Sequence, residues 1–313
     1  MRDANATREL ARTEAQSQTA ETYVVRRLTD RETIRRLLEP HPAYAAYALG
    51  QLEPRLFPLS RWWLAEGDGR NTQPGGRALL LHSRGGLGNA LFALGEAGPL
   101  TALLSLHPGP RRAFATCQAE HLGTLRRFFY LSQEHPLLRL KVTADAFRPL
   151  EGETRLLRGR DARIVNRLYN AEGAVASYTA RQIEDGVYFG ANVGERLVAV
   201  AGTHAVSPTH GVAVVGNVYT HPRYRGRGLG ALVTSAVTAA VIEACPLVVL
   251  SVDPRNRAAV RAYQRLGYEG DCRLIEAAST RKDRLGLRSL VRRLVAVRRG
   301  GRGRGAGGAL IRL

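Results

Sequence analysis

A basic, glycine-rich turn in the C-terminal half of the chain joins an apolar strand to an amphipathic helix. The β-rich run Val212–Thr220 predicts the strand, and apolar residues recur with helical spacing over 229–241. Between them, Arg225, Gly228 and Gly230 spell R-x-x-G-x-G. Because glycine has no Cβ, the backbone N–H groups at the start of the helix can approach phosphate oxygens closely. This order of elements predicts an α/β unit with a site for a diphosphate.

A second strand and helix follow in the same order. Residues 246–252 predict a buried strand, and Asp253 to Asn256 predict a turn that opens the next helix, which Gly267 ends. Asn256 and Tyr263 are seven residues apart, so a helix brings both side chains to nearly the same face. The alternative role for Asn256 is a helix cap, and the alternative role for Tyr263 is a core aromatic.

Three linked segments resemble the GNAT superfamily of N-acetyltransferases, which use acetyl-CoA or a related acyl-CoA. They are V-Y-T-x-P before the turn, R-x-x-G-x-G within it and N-R-A-A-V-R-A-Y-x-x-L-G-Y after it, and the resemblance covers residues 150–278. It implies that the turn binds the diphosphate of acetyl-CoA, that strand residues and Asn256 contact the pantetheine arm, and that Tyr263 is the catalytic residue that protonates the departing thiolate. The implied cofactor-binding residues are Val218, Tyr219, Thr220, Arg225, Gly226, Arg227, Gly228, Leu229, Gly230 and Asn256.

The implied reaction also needs a base, which the sequence does not single out. An amine that attacks a thioester must be neutral, and the oxyanion that forms needs a fixed N–H donor. Asn217 lies beside the expected thioester position, but an amide cannot accept a proton usefully. The candidate bases are His204, His221, Glu184 and Asp185. A hydrogen-bonded strand residue is the alternative role for His204, and a solvated turn residue is the alternative role for His221.

The acceptor site is predicted near the start of the C-terminal half. Helices predicted over 161–170 and 176–184 precede a hairpin at 186–206, and in GNAT relatives this region walls the acceptor pocket. Tyr178, Arg181 and Gln182 are therefore candidates for acceptor contact, with solvated helix residues as the alternative. The sequence leaves amino acids, polyamines, antibiotics and protein N-termini open as acceptors.

The N-terminal half repeats the order of elements without the motif. In the counterpart of the phosphate turn, at 94–100, Glu96 brings negative charge and Pro99 removes an N–H donor. We therefore expect an α/β (α+β) chain of two tandem GNAT-like domains, each a mixed, mostly antiparallel twisted sheet flanked by helices, in which only the second binds CoA. The predicted parts are a disordered N-terminus at 1–21, a degenerate domain at 22–147, a catalytic domain at 148–280 and a basic, partly disordered tail at 281–313.

Charge is concentrated at the C-terminus. The chain has a net charge of +19, of which residues 281–313 contribute +10, and all but two of the 46 basic residues are arginine. An apolar stripe over 287–295, flanked by arginines, predicts a helix that docks on the protein or a partner, or that lies on an anionic membrane or RNA surface. The glycine–arginine run at 300–308 predicts disorder and has no aromatic residues for stacking bases.

Cysteine use predicts a cytoplasmic protein without a metal. Cys117, Cys245 and Cys272 show no C-x-x-C or Cys/His spacing, and their odd number favours reduced thiols. The N-terminus lacks a secretory apolar core, and no run approaches the roughly 20 apolar residues that span a bilayer. We expect no transmembrane segment.

The expected activity is transfer of an acetyl group from acetyl-CoA to a primary amine, by direct attack in a ternary complex without a covalent enzyme intermediate. The acceptor is expected to be a small molecule or a peptide. The alternative is a non-catalytic acyl-CoA-binding regulator or an RNA-associated protein, in which the turn senses the cofactor and the basic tail binds the partner.

Overall fold

The structure, a computed structural model, describes residues 22–68, 76–85, 88–173, 177–300 and 309–312. The regions predicted to be disordered, 1–21 and nearly all of the run at 300–308, lie outside the described residues. The described helices are α1 (Arg31–Leu38), α2 (Ala46–Gly50), α3 (Ala97–Leu106), α4 (Leu122–Phe128), α5 (Ala162–Tyr169), α6 (Ala180–Asp185), α7 (Leu229–Ile242), α8 (Arg257–Arg265) and α9 (Leu287–Gly300). The strands are β1 (Thr22–Leu28), β2 (Ser60–Gly67), β3 (Arg77–Ser83), β4 (Ala90–Gly95), β5 (Arg112–Cys117), β6 (Phe129–Thr143), β7 (Arg155–Leu156), β8 (Phe189–Val193), β9 (Arg196–Ser207), β10 (Val212–Thr220), β11 (Leu247–Val252), β12 (Glu269–Arg281) and β13 (Ala309–Arg312).

All of these strands form one mixed sheet. Its order is β13-β1-β2-β3-β4-β5-β12-β6-β11-β10-β9-β8-β7. The neighbours are antiparallel except for β4 with β5 and β10 with β11, which are parallel. The mixed, mostly antiparallel sheet flanked by helices agrees with the predicted fold class. Each half of the chain contributes one parallel pair, so the two halves share an order of elements.

The two halves exchange their last strands at the centre of the sheet. The long strand β6 ends the N-terminal half, but it pairs along one edge with β11, from Thr143 opposite Leu247 to Leu138 opposite Val252. The last strand of the C-terminal half, β12, pairs with β5 over Ile275–Thr280. The boundary predicted near residue 147 does fall between β6 and β7. Even so, the two halves share one sheet, because the last strand of each half pairs with a strand of the other half.

Apolar cores lie on both faces of the shared sheet. On one face, Val233 and Val237 of α7 pack with Leu140 of β6. On the other face, a core joins the halves, with Trp62 of β2 packed in the same cluster as Val249 of β11. Burial of these side chains, at about 25 cal/mol per Å² of apolar surface, therefore stabilises the junction as well as each half.

The C-terminal segment predicted as a tail forms a helix and an edge strand. Residues Thr22–Val25 of β1 pair antiparallel with β13, and α9 docks on the body through buried Ser289 and Ala296. Five of its apolar side chains stay exposed, at Leu287, Leu290, Val291, Leu294 and Val295. In the part of the chain that the structure describes, no helix has the length and apolar character needed to span a bilayer.

Candidate active site

A cleft opens where β10 and β11 separate. These strands pair only from Val212 to Val215 on β10, opposite Leu247 to Leu250 on β11. Beyond that point β10 has a bulge, in which Asn217 and Val218 together face a single position of β9, and Asn217 takes a left-handed φ of 54°. The bulge turns β10 away from β11. The resulting cleft has a volume of about 550 Å³.

The predicted phosphate turn links β10 to α7. Gly226 and Gly228 have φ values of 78° and 79° with open space where a Cβ would stand, so backbone conformation favours glycine there. At Gly230 the reason is space, because a Cβ would lie 3.2 Å from Oγ1 of Thr220. Gly228 is the N-cap residue of α7 and provides no side-chain cap. The first-turn N–H groups of this 14-residue helix therefore face outward without a capping side chain, as an anion site requires.

Two arginines of the turn are held by ring and carboxylate contacts. Arg225 forms an ion pair with Glu172, and its Nε donates to the carbonyl oxygen of Thr220 at 3.1 Å. The hydroxyl of Tyr219 donates to the same Glu172 carboxylate at 2.9 Å, and the hydrogen bond from Arg225 holds the pKa of that carboxyl below its usual value. Arg227 lies 5.3 Å from the ring centre of Tyr224. The turn therefore carries two positioned positive charges beside the start of α7.

Asn256 and Tyr263 both line the cleft, from the start and the end of α8. The Asn256 side chain also accepts from the N–H of Ala259 at 3.1 Å, so the capping role is present together with the position on the cleft. Tyr263 is buried, and burial raises the pKa of its hydroxyl to about 12. The seven-residue spacing thus places an amide and a protonated phenol on one cleft wall.

The side chain of Asn217 joins a cluster of hydrogen bonds at the bulge. Its Oδ1 accepts from the Tyr178 hydroxyl at 2.9 Å and from Nε2 of His204 at 2.9 Å, and its Nδ2 donates to the Tyr188 hydroxyl at 2.9 Å. The Tyr169 hydroxyl donates to the Asn217 carbonyl oxygen. The sequence indicated Tyr178 but missed Tyr169 and Tyr188, which lie on other elements and follow no local pattern. The amide thus fixes the orientation of three side chains around the bulge of β10.

Only one of the four candidate bases lines the described cleft, namely His204. Its ring leaves no room for a side chain at Gly216, where a Cβ would lie 2.5 Å from the imidazole. Burial lowers the pKa of His204, so the ring is neutral near pH 7. Since Nε2 donates to Asn217, the lone pair is on Nδ1.

The other three candidate bases are engaged elsewhere. The Glu184 carboxylate accepts from the N–H of Gly159 at 2.7 Å, and Asp185 pairs with Arg181 at 3.2 Å. His221 is buried against Arg196, with 3.0 Å between their nitrogens.

Of the three acceptor-contact candidates, the structure places only Tyr178 on the cleft. Arg181 is exposed and pairs with Asp185, and Gln182 forms a capping box with Thr179 at the start of α6. Solvated helix positions are therefore the better description of Arg181 and Gln182.

Two ionisable residues that the sequence analysis missed line the cleft. Arg139 comes from β6 and Glu276 from β12, the two exchanged strands. No local motif marks either residue, because their position depends on the long-range pairing of the halves.

The equivalent turn of the N-terminal half has different chemistry. Glu96 is the N-cap residue of α3, and Pro99 lies buried in its first turn. A Cβ at Gly76 would stand 2.1 Å from the Glu96 carboxylate, so this negative group folds back over the end of β3. A carboxylate beside a helix N-terminus occupies the electrostatic position that a phosphate would need.

Comparison with known proteins connects this cleft to a family. Residues 162–268 match the family model described as the acetyltransferase (GNAT) family. Curated proteins gave no significant match. A Drosophila protein of known structure is 15% identical, covering 82% of this chain and 98% of its own, with a TM-score of 0.57. The family match confirms the resemblance of the three segments, and the Drosophila structure shares the fold.

Two further solved structures are similar to this chain. One is a putative acetyltransferase of the GNAT family from Novosphingobium aromaticivorans, 26% identical, covering 61% of this chain and 84% of its own, with a TM-score of 0.46. The other is a tandem GNAT protein from the clavulanic acid biosynthesis pathway, 16% identical, covering 83% of this chain and 98% of its own, with a TM-score of 0.46. Among the residues that the structure describes, no group of three or more His, Cys, Asp or Glu side chains could hold a metal ion.

Proposed function

We propose that this chain, in which residues 162–268 match the acetyltransferase (GNAT) family model, transfers an acetyl group from acetyl-CoA to a primary amine by direct attack in a ternary complex. The family uses acetyl-CoA as its donor. The observation that carries the proposal is the position of the β10 bulge and Tyr263 on one cleft, together with the uncapped α7 turn that follows β10 in the chain.

The turn is the proposed site for the donor diphosphate. The backbone N–H groups of Gly226, Gly228 and Gly230 and the side chains of Arg225 and Arg227 supply donors and positive charge there. A phosphate oxygen would compete with Glu172 for Arg225, since the ion pair is half-exposed and exposed ion pairs of this kind contribute little to stability.

The pantetheine arm would then run along the separated strands. Val218, Tyr219 and Thr220 would line one side with Leu229, and Asn256 would contact the arm from the other. This path places the thioester beside the bulge.

The reaction forms a bond between the amine nitrogen and the carbonyl carbon and breaks the bond between that carbon and sulfur. The amine loses a proton to a base, and the thiolate leaves with the bonding electron pair. We assign the base to His204, acting directly or through a water, because it is neutral and its Nδ1 has a lone pair. A weak base suffices for an amine that is already neutral.

Tyr263 stabilises the departing thiolate through its hydroxyl. With the pKa of Tyr263 at about 12, complete proton transfer to a thiolate whose own acid has a pKa of about 8.5 would be uphill by about 5 kcal/mol. Tyr263 therefore acts mainly as a hydrogen-bond donor to the developing negative charge, and the thiolate takes its final proton as it leaves.

Calorimetric titration with acetyl-CoA tests the donor site. Arg225→Glu should weaken binding at least about tenfold, because it removes a charge-assisted hydrogen bond and adds a repulsive charge. Arg36→Glu is the matched control, since this arginine is exposed on α1 and pairs only with Glu32 among the described residues. The proposal fails if the wild-type protein gives no heat, or if Arg225→Glu binds as well as Arg36→Glu.

Release of thiol from acetyl-CoA, followed over a panel of primary amines, tests the transfer itself. Binding of acetyl-CoA without turnover on any amine would indicate the non-catalytic regulator instead.

A further inference from the structure

Arg139 is a buried cation at the centre of the shared sheet. It lies on β6, opposite Ser251 of β11 on one side and Cys272 of β12 on the other. Only 3% of its surface is exposed, and it lines the cleft that holds Tyr263 and His204. A guanidinium in this position has been taken out of bulk water at a large cost in free energy, which only good partners can offset.

Such partners are absent from the described protein around it. The Nε atom of Arg139 is buried without a hydrogen-bond partner, and within the described ranges no hydrogen bond or ion pair engages the guanidinium. Glu276 lines the same cleft, but it pairs in register with His135, four residues further along β6. Glu276 attracts Arg139 electrostatically, but no hydrogen bond or ion pair joins these two described side chains, so the donors of Arg139 stay unsatisfied. Burial raises the pKa of the Glu276 carboxyl.

The face of the sheet on which Arg139 lies identifies the ligand it would meet. Its neighbour Leu140 packs with Val233 of α7, whereas Leu137 packs on the other side of the sheet with Trp62. Since side chains alternate along a strand, Arg139 points to the face of Leu137, away from α7 and the proposed diphosphate site. The donor occupies the α7 side, which leaves the Arg139 side for the acceptor.

We propose that Arg139 binds a carboxylate of the acceptor, so that the amine acetylated by this protein belongs to a molecule that also carries a carboxyl group. The inference rests on the proposed acetyl transfer and specifies its substrate class. A planar guanidinium with free donors matches a carboxylate in a two-point contact, which an ammonium group or an apolar chain cannot provide. The same charge lies close enough to His204 to contribute to the lowered pKa of that ring.

A carboxylate could also arrive on the donor, as the far end of a dicarboxylic acyl group. The test therefore crosses two donors, acetyl-CoA and succinyl-CoA, with matched amine pairs that differ only in the carboxyl group, such as glycine with methylamine and phenylalanine with phenethylamine. The full chain is used, and kcat/KM is measured from thiol release.

With acetyl-CoA, kcat/KM should be at least about thirtyfold higher for the carboxylated amine than for its plain partner in at least one pair. The reason is that the buried charge of Arg139 stays unpaired when the acceptor has no carboxylate. Arg139→Met should abolish that preference, mainly through KM, and Arg139→Lys should retain part of it. Arg273→Met on the neighbouring strand β12 is the matched control, since its exposed side chain does not line the described cleft.

Equal rates for both members of every pair would overturn the inference, as would a preference for succinyl-CoA with plain amines. The wild-type panel decides this even if Arg139→Met does not fold. Acetyl-CoA titration and the plain amines distinguish failure of the inference from failure of the proposed function. If acetyl-CoA binds and plain amines are acetylated at least as fast as carboxylated ones, the inference alone is refuted. If acetyl-CoA does not bind, or binds without turnover on any amine, the proposed function is refuted together with it.

Discussion

Replacing Tyr263 by phenylalanine removes one hydroxyl group from the cleft and should lower kcat by about ten- to hundredfold. The ring is 7% exposed, so its packing stays in place when the oxygen is lost. A hydrogen bond to a charged atom contributes about 1.5–3 kcal/mol, and each 1.4 kcal/mol corresponds to about a factor of ten in rate. Because the bond strengthens as the thiolate forms, the loss should fall on kcat, while the Kd for acetyl-CoA changes less than about twofold.

The neighbouring Tyr268 provides the matched control. Its ring centre lies 6.2 Å from that of Tyr263, and burial raises the pKa of its hydroxyl as well. That hydroxyl shares a hydrogen bond with Thr238 at 2.8 Å and is not part of the described cleft lining. Tyr268→Phe should therefore lower the free energy of unfolding by about 1 kcal/mol and leave kcat unchanged.

The pH profile of kcat gives a second readout for Tyr263. A raised pKa favours the neutral phenol, so the hydroxyl remains a donor until the pH approaches about 12. No descending limb caused by Tyr263 should occur below about pH 11. Thiol release measured by stopped flow for both variants checks these expectations. Unchanged kcat in Tyr263→Phe, or an equal loss in both variants, would show that the hydroxyl does not act on the leaving thiolate.

Two other changes test the bulge and the shared sheet. In Gly216→Ala, the new Cβ would stand 2.5 Å from the His204 ring. The hydrogen bond from His204 Nε2 to Asn217 Oδ1 should therefore break, and kcat/KM should fall about tenfold or more. A variant structure that keeps this bond, together with an unchanged rate, would contradict the role of His204. A chain of residues 148–280 lacks β6, so it should show no cooperative thermal transition by circular dichroism. A sharp transition would show that this half folds independently.

The sequence was informative wherever the site depends on residues close together in the chain. The glycine pattern and the Asn256–Tyr263 spacing follow from the local geometry of one turn and one helix. In the structure Asn256 and Tyr263 lie on one cleft wall, as their spacing predicts, and the glycine turn leads into α7.

The features that sequence patterns missed all depend on pairing over long distances. No local pattern indicates that β6 pairs with β11 of the other half. Nor does any local pattern indicate that four side chains from separate segments form hydrogen bonds to Asn217. In the sequence, Arg139 has the pattern of an ordinary exposed polar residue in an alternating strand. Its burial could not be predicted, because it depends on the pairing of β6 with β11 and β12. The C-terminal segment was predicted as a tail because its charge and glycine content are typical of disorder, whereas the pairing of β13 with β1 depends on a partner almost 290 residues away.

The exchange of β6 and β12 has a consequence for how substrates enter. One continuous hydrogen-bonded sheet runs through the described part of the molecule from β13 to β7. The two halves are therefore not joined by a hinge about which they could rotate apart. We therefore expect substrates to enter and leave through small local movements at the rim of the cleft, while the hydrogen-bonded strands beneath it keep their register.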